Sequence, residues 1–293
     1  MPASALAKNY QKLALMGKKI LSIIFTYYPE RELLANNVSN FINDVDKVLI
    51  WENTPKQLRE QYRFIKHSKV EYVHGECNSI SLALNYAWKY AVDYGFDYLL
   101  TMDQDSIFEN FPAYKKEALI LLEKNNCIIG PSINKKSFTI GMDVYSEKDT
   151  IITSGMIVPI STVEKVGGWC KEFIVDGIDI DFCLNVASKG YHIFQMNSHC
   201  LIQRFGSPET RCFLGKTIIL HNYNPKRLHD YARNLLIVLR KYDFPTELAR
   251  RYFKALRNTI FNIFFFESQK TLKLYNLCIG FIEGLKFKIK KSN

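Results

Sequence analysis

Two carboxylates separated by one residue, Asp103 and Asp105, follow the apolar run Tyr98–Met102. On the turn that leaves a strand, two side chains at this spacing can face the same cation. Carboxylate oxygens are the ligands that Mg²⁺ and Mn²⁺ prefer, and these ions keep coordination positions for phosphate oxygens. An isolated pair of this kind can equally form a solvated turn or a helix cap. The strand-end position favours a divalent metal site.

A second acidic cluster lies in the apolar segment 174–184 and contains Asp176, Asp179 and Asp181. Like charges in one site raise each other's pKa, and a raised carboxyl pKa suits a general base. Acidic residues are also favoured at a helix N-terminus, and both interpretations can hold together. His199 and His221 follow the cluster and are candidates for a third metal ligand.

Short apolar runs rich in β-branched residues alternate with segments of helical period along the first 130 residues. This alternation predicts a mostly parallel sheet flanked by helices. The predicted strands are Ile20–Thr26, Lys47–Trp51, Val70–Val73, Tyr98–Met102 and Cys127–Gly130, and the predicted helices are Arg31–Phe41, Pro55–Lys66, Ser79–Tyr94 and Phe111–Asn125.

Polar residues follow three of these strands, namely Thr26–Pro29, Glu52–Asn53 and Asp103–Asp105. In such α/β sheets the ligand lies beyond the carboxyl ends of the strands, so we expect the three segments to converge. The sequence has no P-loop, GxGxxG or GxSxG motif. This argues against a kinase, a Rossmann dehydrogenase and an α/β-hydrolase.

The positive charge is concentrated in the last quarter of the chain. The net charge is +10, and residues 224–293 contain 15 Lys and Arg against 5 Asp and Glu, which leaves +10 for this segment alone. Its helical stripe of Leu248, Tyr252, Leu256, Ile260 and Ile263, flanked by basic residues, predicts a helix on an anionic membrane surface. The alternative is that the stripe packs on the catalytic domain.

The rest of the composition limits the location of the protein. The sequence shows no signal-peptide core and no apolar stretch of about 18 residues, which spanning a bilayer requires. Seven scattered cysteines without a CxxC pair predict reduced thiols in a cytosolic protein. We therefore expect a cytoplasmic protein associated peripherally with the inner face of the cell membrane.

An ordered set of motifs resembles the inverting glycosyltransferases of family 2, in particular the rhamnosyltransferase-like branch. The segment Leu99–Ser106 is similar to that branch's L-L-x-x-D-Q-D-S, and Ile178–Leu184 to its V-D-I-E-W-C-L. Further similarities to the branch run from Ile20 to Asn234. They are Thr26–Glu30, Glu52-Asn53, Ser81–Asn85, Thr153–Gly155 with Val166–Trp169, Ser188–Tyr191 and Arg233-Asn234.

The resemblance implies a GT-A fold and a single displacement with inversion. It implies a Mg²⁺ or Mn²⁺ ion on Asp103 and Asp105 and a general base at Asp179, with Asp176 and Asp181 orienting the acceptor or tuning that base. The donor residues would be Thr26, Tyr28, Glu52, Asn53, Asp103 and Gln104, and the acceptor residues Thr153, Ser154, Gly155, Trp169, Arg227 and Arg233. The implied donor is dTDP-rhamnose, with a UDP-hexose or UDP-galactofuranose as the alternative, and the implied acceptor is a cell-surface polysaccharide or a lipid-linked oligosaccharide.

The sequence departs from the family pattern at several points. Gln203-Arg-Phe-Gly206 stands where the family commonly has H-x-x-G, which leaves the third metal ligand open. Cys77-Asn78-Ser79 replaces N-x-G, and Asn185 replaces an Arg.

The resemblance, together with the excess of positive charge after residue 223, predicts a GT-A catalytic domain over residues 1–223, with a nucleotide-sugar half at about 20–130 and an acceptor half at 131–223. A basic amphipathic helical tail follows at 224–293. Rival functions are a sugar-nucleotide nucleotidyltransferase, a binding protein with an inactive site and a nucleic-acid binder. A nucleotidyltransferase usually begins with a Gly-rich phosphate loop, and this sequence lacks one. We expect no nucleic-acid partner. Association into a homo-oligomer stays open.

Overall fold

The computed structural model describes residues 17–75, 79–134, 143–204, 209–213 and 215–289. Cys77, Asn78, Phe205 and Gly206 of the motifs above lie outside these ranges. The chain divides into two compact units. Unit 1 runs to Glu172 and includes Phe182–Gln203, and unit 2 comprises Phe173–Asp181 and the chain from Arg204 onward. This division differs from the predicted boundary at 223/224, because the acidic cluster and residues 204–223 group with the C-terminal helices.

The described residues of unit 1 form a sheet of nine strands. The strands are β1 (Ile20–Thr26), β2 (Lys47–Glu52), β3 (Val70–Val73), β4 (Tyr98–Asp103), β5 (Ser106–Phe108), β6 (Cys127–Ile133), β7 (Tyr145–Glu147), β8 (Met156–Pro159) and β9 (His192–Gln203). Their order in the sheet is β3-β2-β1-β4-β8-β6-β9-β5, with β7 also paired to β9. Strands β1 to β4 run parallel to one another, whereas β8 is antiparallel to both β4 and β6. The sheet is therefore parallel on the side that the sequence predicted and mixed beyond β4.

The helices of unit 1 cover this sheet with their apolar faces. Ser79 caps α2 (Ile80–Asp93) and Asn110 caps α3 (Phe111–Lys124), each by accepting a hydrogen bond from a backbone N–H group of the first turn. The helix expected over Pro55–Lys66 is a 3₁₀ helix, Lys56–Tyr62, with no buried residue, so no packed face stabilises an α-helix there. The helices are α1 (Arg31–Phe41), α2 (Ile80–Asp93), α3 (Phe111–Lys124), α4 (Ile160–Val166) and α5 (Ile178–Ser188), and the unit boundary falls within α5.

The described part of unit 2 contains a two-stranded antiparallel sheet, β10 (Glu209–Phe213) and β11 (Lys216–Leu220), and three helices. These are α6 (Pro225–Lys241), α7 (Thr246–Phe265) and α8 (Lys270–Lys286). Helices α6 and α8 approach closely because Gly280 and Gly284 lack side chains. A Cβ atom on Gly280 would lie 2.2 Å from the carbonyl oxygen of His229.

The apolar stripe predicted to contact a membrane is largely buried within unit 2. Tyr252 and Ile263 are buried, and Leu248 and Leu256 pack against the clusters formed with α6 and α8. Only Ile260 of the stripe is exposed. The prediction that this stripe faces lipid is therefore wrong. In the part of the chain that the structure describes, no helix is long and apolar enough to cross a bilayer.

Candidate active site

Asp103 is the last residue of β4, and the two-residue turn Gln104-Asp105 leads from it into β5. Neighbouring groups fix its backbone on both sides. Its N–H donates to the hydroxyl of Ser154 at 3.1 Å, and its carbonyl accepts from the amide of Asn37 at 2.6 Å. The Asp-Gln-Asp segment is therefore held at the carboxyl end of the parallel strands, as the sequence predicted.

The segment Thr153–Gly155 supports this turn from behind. The Ser154 hydroxyl, which is fully buried, also donates to Ser106 at 2.9 Å. Gly155 has φ +81°, and a Cβ there would lie 2.7 Å from Cγ of Pro131. A side chain without exposed surface cannot touch an acceptor, so the acceptor contact expected of Ser154 is not supported. Ser154 positions Asp103 instead.

Gln203, the last residue of β9, reaches the carboxylate of Asp103. Its Nε2 donates to Oδ2 of Asp103 at 2.5 Å, and its backbone pairs with Ser106. Asn134 holds the same residue through two hydrogen bonds of 2.8 and 2.9 Å to the backbone of Gln203. The sequence marked this position only as a departure from H-x-x-G. The fold shows that its side chain reaches the first aspartate.

This arrangement provides oxygen donors suited to a hard divalent cation. Oε1 of Gln203 is buried and has no hydrogen-bond partner among the described residues. Within the described residues, no three His, Cys, Asp or Glu side chains form a metal-binding group. Asp103 and Asp105 are the residues that could hold a cation, with the amide of Gln203 bound to the carboxylate of Asp103. These donors fit Mg²⁺ or Mn²⁺.

The two histidines considered as a third metal ligand each have a contact within their own unit. His199 contacts Oε2 of Glu117 at 2.9 Å. His221 is an exposed residue of unit 2, with its ring stacked on Tyr223 at 5.2 Å. A metal-ligand role for either histidine stays a prediction.

The predicted donor residues at the end of β1 are tied to the Asp-Gln-Asp turn. Gln104 Oε1 accepts from the N–H of Tyr27 at 2.7 Å, and its Nε2 donates to the Tyr27 carbonyl at 3.2 Å. Thr26 is buried, and its hydroxyl donates to the Trp51 carbonyl. Tyr28 has φ 45° and is exposed, which places an aromatic ring at the rim of this edge.

Glu52, at the end of β2, is paired with a residue that the motifs did not indicate. Arg63 binds it in a bidentate manner, with Nε to Oε1 at 2.9 Å and Nη2 to Oε2 at 2.7 Å. Glu52 is only 4% exposed, and this bidentate pair fixes the orientation of its carboxylate. Asn53 is likewise held, because its Oδ1 accepts from the indole N–H of Trp51 at 3.0 Å.

In unit 2, Asp179 has the environment of a general base. It lies in the first turn of α5, and its Oδ1 accepts from the N–H of Ile180 at 2.9 Å. Burial raises the pKa of Asp179 from 3.8 to about 6, with the nearby charge of Asp176 contributing. A carboxylate with this pKa is ionised at neutral pH yet basic enough to accept a proton from a hydroxyl during attack.

The two neighbouring aspartates have different surroundings. Burial raises the pKa of Asp176, while Arg227, whose Nε lies 3.4 Å from its Oδ2, opposes the rise. Asp181 is 3% exposed, and its Oδ1 accepts from Lys241 at 2.7 Å and from the hydroxyl of Tyr242 at 3.1 Å. Direct acceptor contact by Asp181 is therefore not supported, and its carboxylate joins the start of α5 to the end of α6.

Two further residues expected at the acceptor are engaged within the protein. Trp169 is buried, its ring stacked on Phe182 at 4.4 Å and its backbone bound by the amide of Asn85. It therefore packs α5 and has no surface for a sugar. Arg233 donates to Oδ1 of Asn234 at 2.8 Å. Arg227 is exposed and lies over the ring of Tyr223, so it stays available to a ligand.

Comparison with known proteins identifies the class of this fold. No family model matches the chain. A dTDP-rhamnosyl transferase, RfbF of Shigella flexneri, is 25% identical over 261 residues, which cover 80% of this chain and 85% of that protein.

Two solved structures share the fold. GalNAc-T7, crystallised with UDP, GalNAc and Mn²⁺, matches 92% of this chain at 9% identity with a TM-score of 0.58, and the chain spans 56% of its length. Residues 1–349 of S. aureus TarS with UDP-GlcNAc match 91% of this chain and 81% of that one, at 13% identity and a TM-score of 0.53.

These similarities confirm the resemblance drawn from the motifs. The chain has the GT-A fold. It is a glycosyltransferase. A divalent metal accompanies this fold in the GalNAc-T7 structure.

Proposed function

We propose that the protein transfers rhamnose from dTDP-rhamnose to an acceptor hydroxyl with inversion at the anomeric carbon. The observation that carries the proposal is Asp179, whose pKa is raised to about 6 at the start of α5, where the rhamnosyltransferase-like motif places its base. The similarity to a dTDP-rhamnosyl transferase supports the donor. The structure of TarS with UDP-GlcNAc and that of GalNAc-T7 with UDP favour a UDP-sugar as the second candidate donor.

In the proposed reaction, Asp179 takes the proton of the acceptor hydroxyl as the oxygen attacks the anomeric carbon. The bond between that carbon and the diphosphate oxygen breaks, and the nucleoside diphosphate leaves with the electron pair. A divalent cation held by Asp103 and Asp105, with Gln203 orienting the carboxylate of Asp103, would neutralise charge on the leaving diphosphate. Glu52, fixed by Arg63, would accept a hydrogen bond from the nucleoside.

The proposed acceptor is a lipid-linked oligosaccharide or a cell-surface polysaccharide. Arg227, Arg233 and Thr153 are the residues of the predicted acceptor set that keep partly exposed surface. We propose that the enzyme acts at the inner face of the cell membrane, attracted to anionic lipid by the +10 charge of residues 224–293. Self-association stays a prediction, which a solution mass measurement tests.

A panel of sugar nucleotides tests the reaction. Release of nucleoside diphosphate from dTDP-rhamnose supports the proposal, release from a UDP-sugar supports the second donor, and release of pyrophosphate would indicate a nucleotidyltransferase. Asp105→Ala should lose nearly all turnover, because the remaining donors no longer surround a cation. Full activity of the wild type in excess chelator would contradict the metal assignment.

A further inference from the structure

The exposed side of α7 changes character along its length. Residues Arg250, Lys254, Arg257, Phe261 and Phe264 recur at intervals of three and four, so they share one face of the helix. All five are exposed. We call this row the exposed ridge of α7. Its first half is cationic and its second half aromatic, and it lies opposite the buried face that carries Tyr252 and Ile263.

The aromatic end of the ridge is part of a larger patch, the aromatic cluster, formed by Phe213, Phe261, Phe264 and Phe265. Phe264 and Phe265 are 59% and 52% exposed. Their rings lie 5.1 Å apart, and Phe265 lies 4.6 Å from Phe261. Phe213 joins them from the β10–β11 hairpin at 6.3 Å from Phe261. Four contiguous phenylalanines at the surface mark an interaction site rather than a scattered apolar residue.

The spacing along the ridge matches the depth profile of a bilayer surface. At about 1.5 Å of rise per residue, Lys254 and Arg257 lie about 6–10 Å before Phe261. Apolar side chains of interfacial helices enter about 5–10 Å into the boundary between headgroups and acyl chains. Phenylalanines at that depth would leave the two cations at the level of the lipid phosphates. The excess charge of +10 in residues 224–293 complements an anionic leaflet.

We infer that the aromatic cluster inserts into an anionic lipid surface, with the C-terminal end of α7 leading and Lys254 and Arg257 contacting phosphates. This inference rests on the proposed location at the membrane but not on the proposed reaction. The membrane contact is thereby assigned to the exposed ridge of α7 instead of to the stripe on the buried face of the same helix. The C-terminal end of α7 enters the lipid first, because the exposed ridge changes from cationic to aromatic along the helix axis.

Sedimentation with vesicles of phosphatidylglycerol and phosphatidylcholine tests the inference on the full chain. Phe264→Ser/Phe265→Ser should weaken binding by about tenfold or more, because both rings leave the acyl boundary. Lys254→Gln/Arg257→Gln should weaken binding to the anionic vesicles by about fivefold per charge and leave binding to neutral vesicles unchanged. Leu272→Ser/Tyr275→Ser, at 51% and 62% exposure on α8, is the matched control and should bind as the wild type does.

A depth measurement separates insertion from surface adsorption. The fluorescence of Phe265→Trp should be quenched by lipids brominated on the acyl chains, whereas that of Tyr275→Trp should not. If Phe264→Ser/Phe265→Ser binds vesicles as the wild type does, the inference is overturned, although the proposed membrane location stands. A wild-type dimer that becomes a monomer in Phe264→Ser/Phe265→Ser, without vesicle binding, would show that a second copy covers the cluster. Nucleoside diphosphate release, assayed in the same variants without vesicles, reports on the reaction separately.

Discussion

Replacing Asp179 with Asn should remove sugar transfer and at the same time stabilise the protein at neutral pH. The amide oxygen of Asn can still accept the hydrogen bond from the Ile180 N–H, so the first turn of α5 stays as it is. What is lost is the ability to take a proton. The loss of a general base lowers the rate by about 10²–10⁴-fold, and donor binding should be unchanged because the donor residues lie in other segments.

The stability effect follows from the raised pKa of Asp179. The pKa is 3.8 ordinarily and about 6 in the folded protein, so between these values the folded state binds more protons than the unfolded state. The free energy of unfolding therefore falls as the pH rises from about 4 to 6 and stays lower above pH 6. At pH 7 the ionised carboxylate costs at most about 3 kcal/mol, since one pKa unit corresponds to about 1.4 kcal/mol.

Two assays test this reasoning. Thermal unfolding at pH 7 and pH 4 should show a higher Tm for Asp179→Asn at pH 7 and no difference at pH 4. The kcat/KM of the wild type should rise with pH and level off above an inflection near 6, because only the ionised carboxylate accepts the proton. Binding of the donor, measured by calorimetry, should be the same for the wild type and the variant.

Asp181→Asn is the matched control, two residues along the same helix. Asp181 is paired with Lys241, so this variant should lower the Tm, which is opposite in sign to the effect at Asp179. If Asp179→Asn still transfers sugar, Asp179 is not the general base. The assignment is also refuted if Asp181→Asn loses sugar transfer while its Tm is unchanged. An inflection near pH 4 in the wild-type profile would show that the pKa of the Asp179 carboxyl is not raised.

Three further substitutions test the donor half and the packing of unit 2. Gln203→Ala should weaken Mn²⁺ binding by about 10–100-fold, because the proposed ligand Asp103 loses its hydrogen-bond partner. Electron paramagnetic resonance measures this affinity, and an unchanged value would exclude Gln203 from the metal site. Arg63→Ala should lower both the donor affinity and the Tm. Adding Glu52→Gln to this variant should restore part of the lost Tm, because no buried charge is then left unpaired. A double variant with the same Tm as Arg63→Ala would mean that Arg63 acts through packing alone. Gly280→Ala should lower the free energy of unfolding by about 1–3 kcal/mol, measured in urea, because its methyl group meets a backbone carbonyl; an unchanged value would mean that α6 and α8 separate without cost.

Much of the parallel half of the fold was predictable because its elements are local. The strand Ile20–Thr26 and the helix Arg31–Phe41 have the bounds that apolar runs and helical spacing indicate. The position of Asp103 at a strand end followed from the same pattern, since parallel strands bring their carboxyl ends to one edge. The mixed pairing of β8 was not predictable, because its neighbours are set by contacts distant in sequence.

The sequence by itself determined the residue types that could do chemistry, the strand ends that carry them and the location of the excess charge. Only the tertiary structure decided what each residue touches. Gln203 reaches Asp103 across 100 residues, and Lys241 reaches Asp181 across 60. Periodicity shows that a helix has an apolar face but not what covers it. The same stripe on α7 therefore predicted a membrane contact and proved to be an internal one, while burial, which depends on the whole fold, sets the pKa of Asp179.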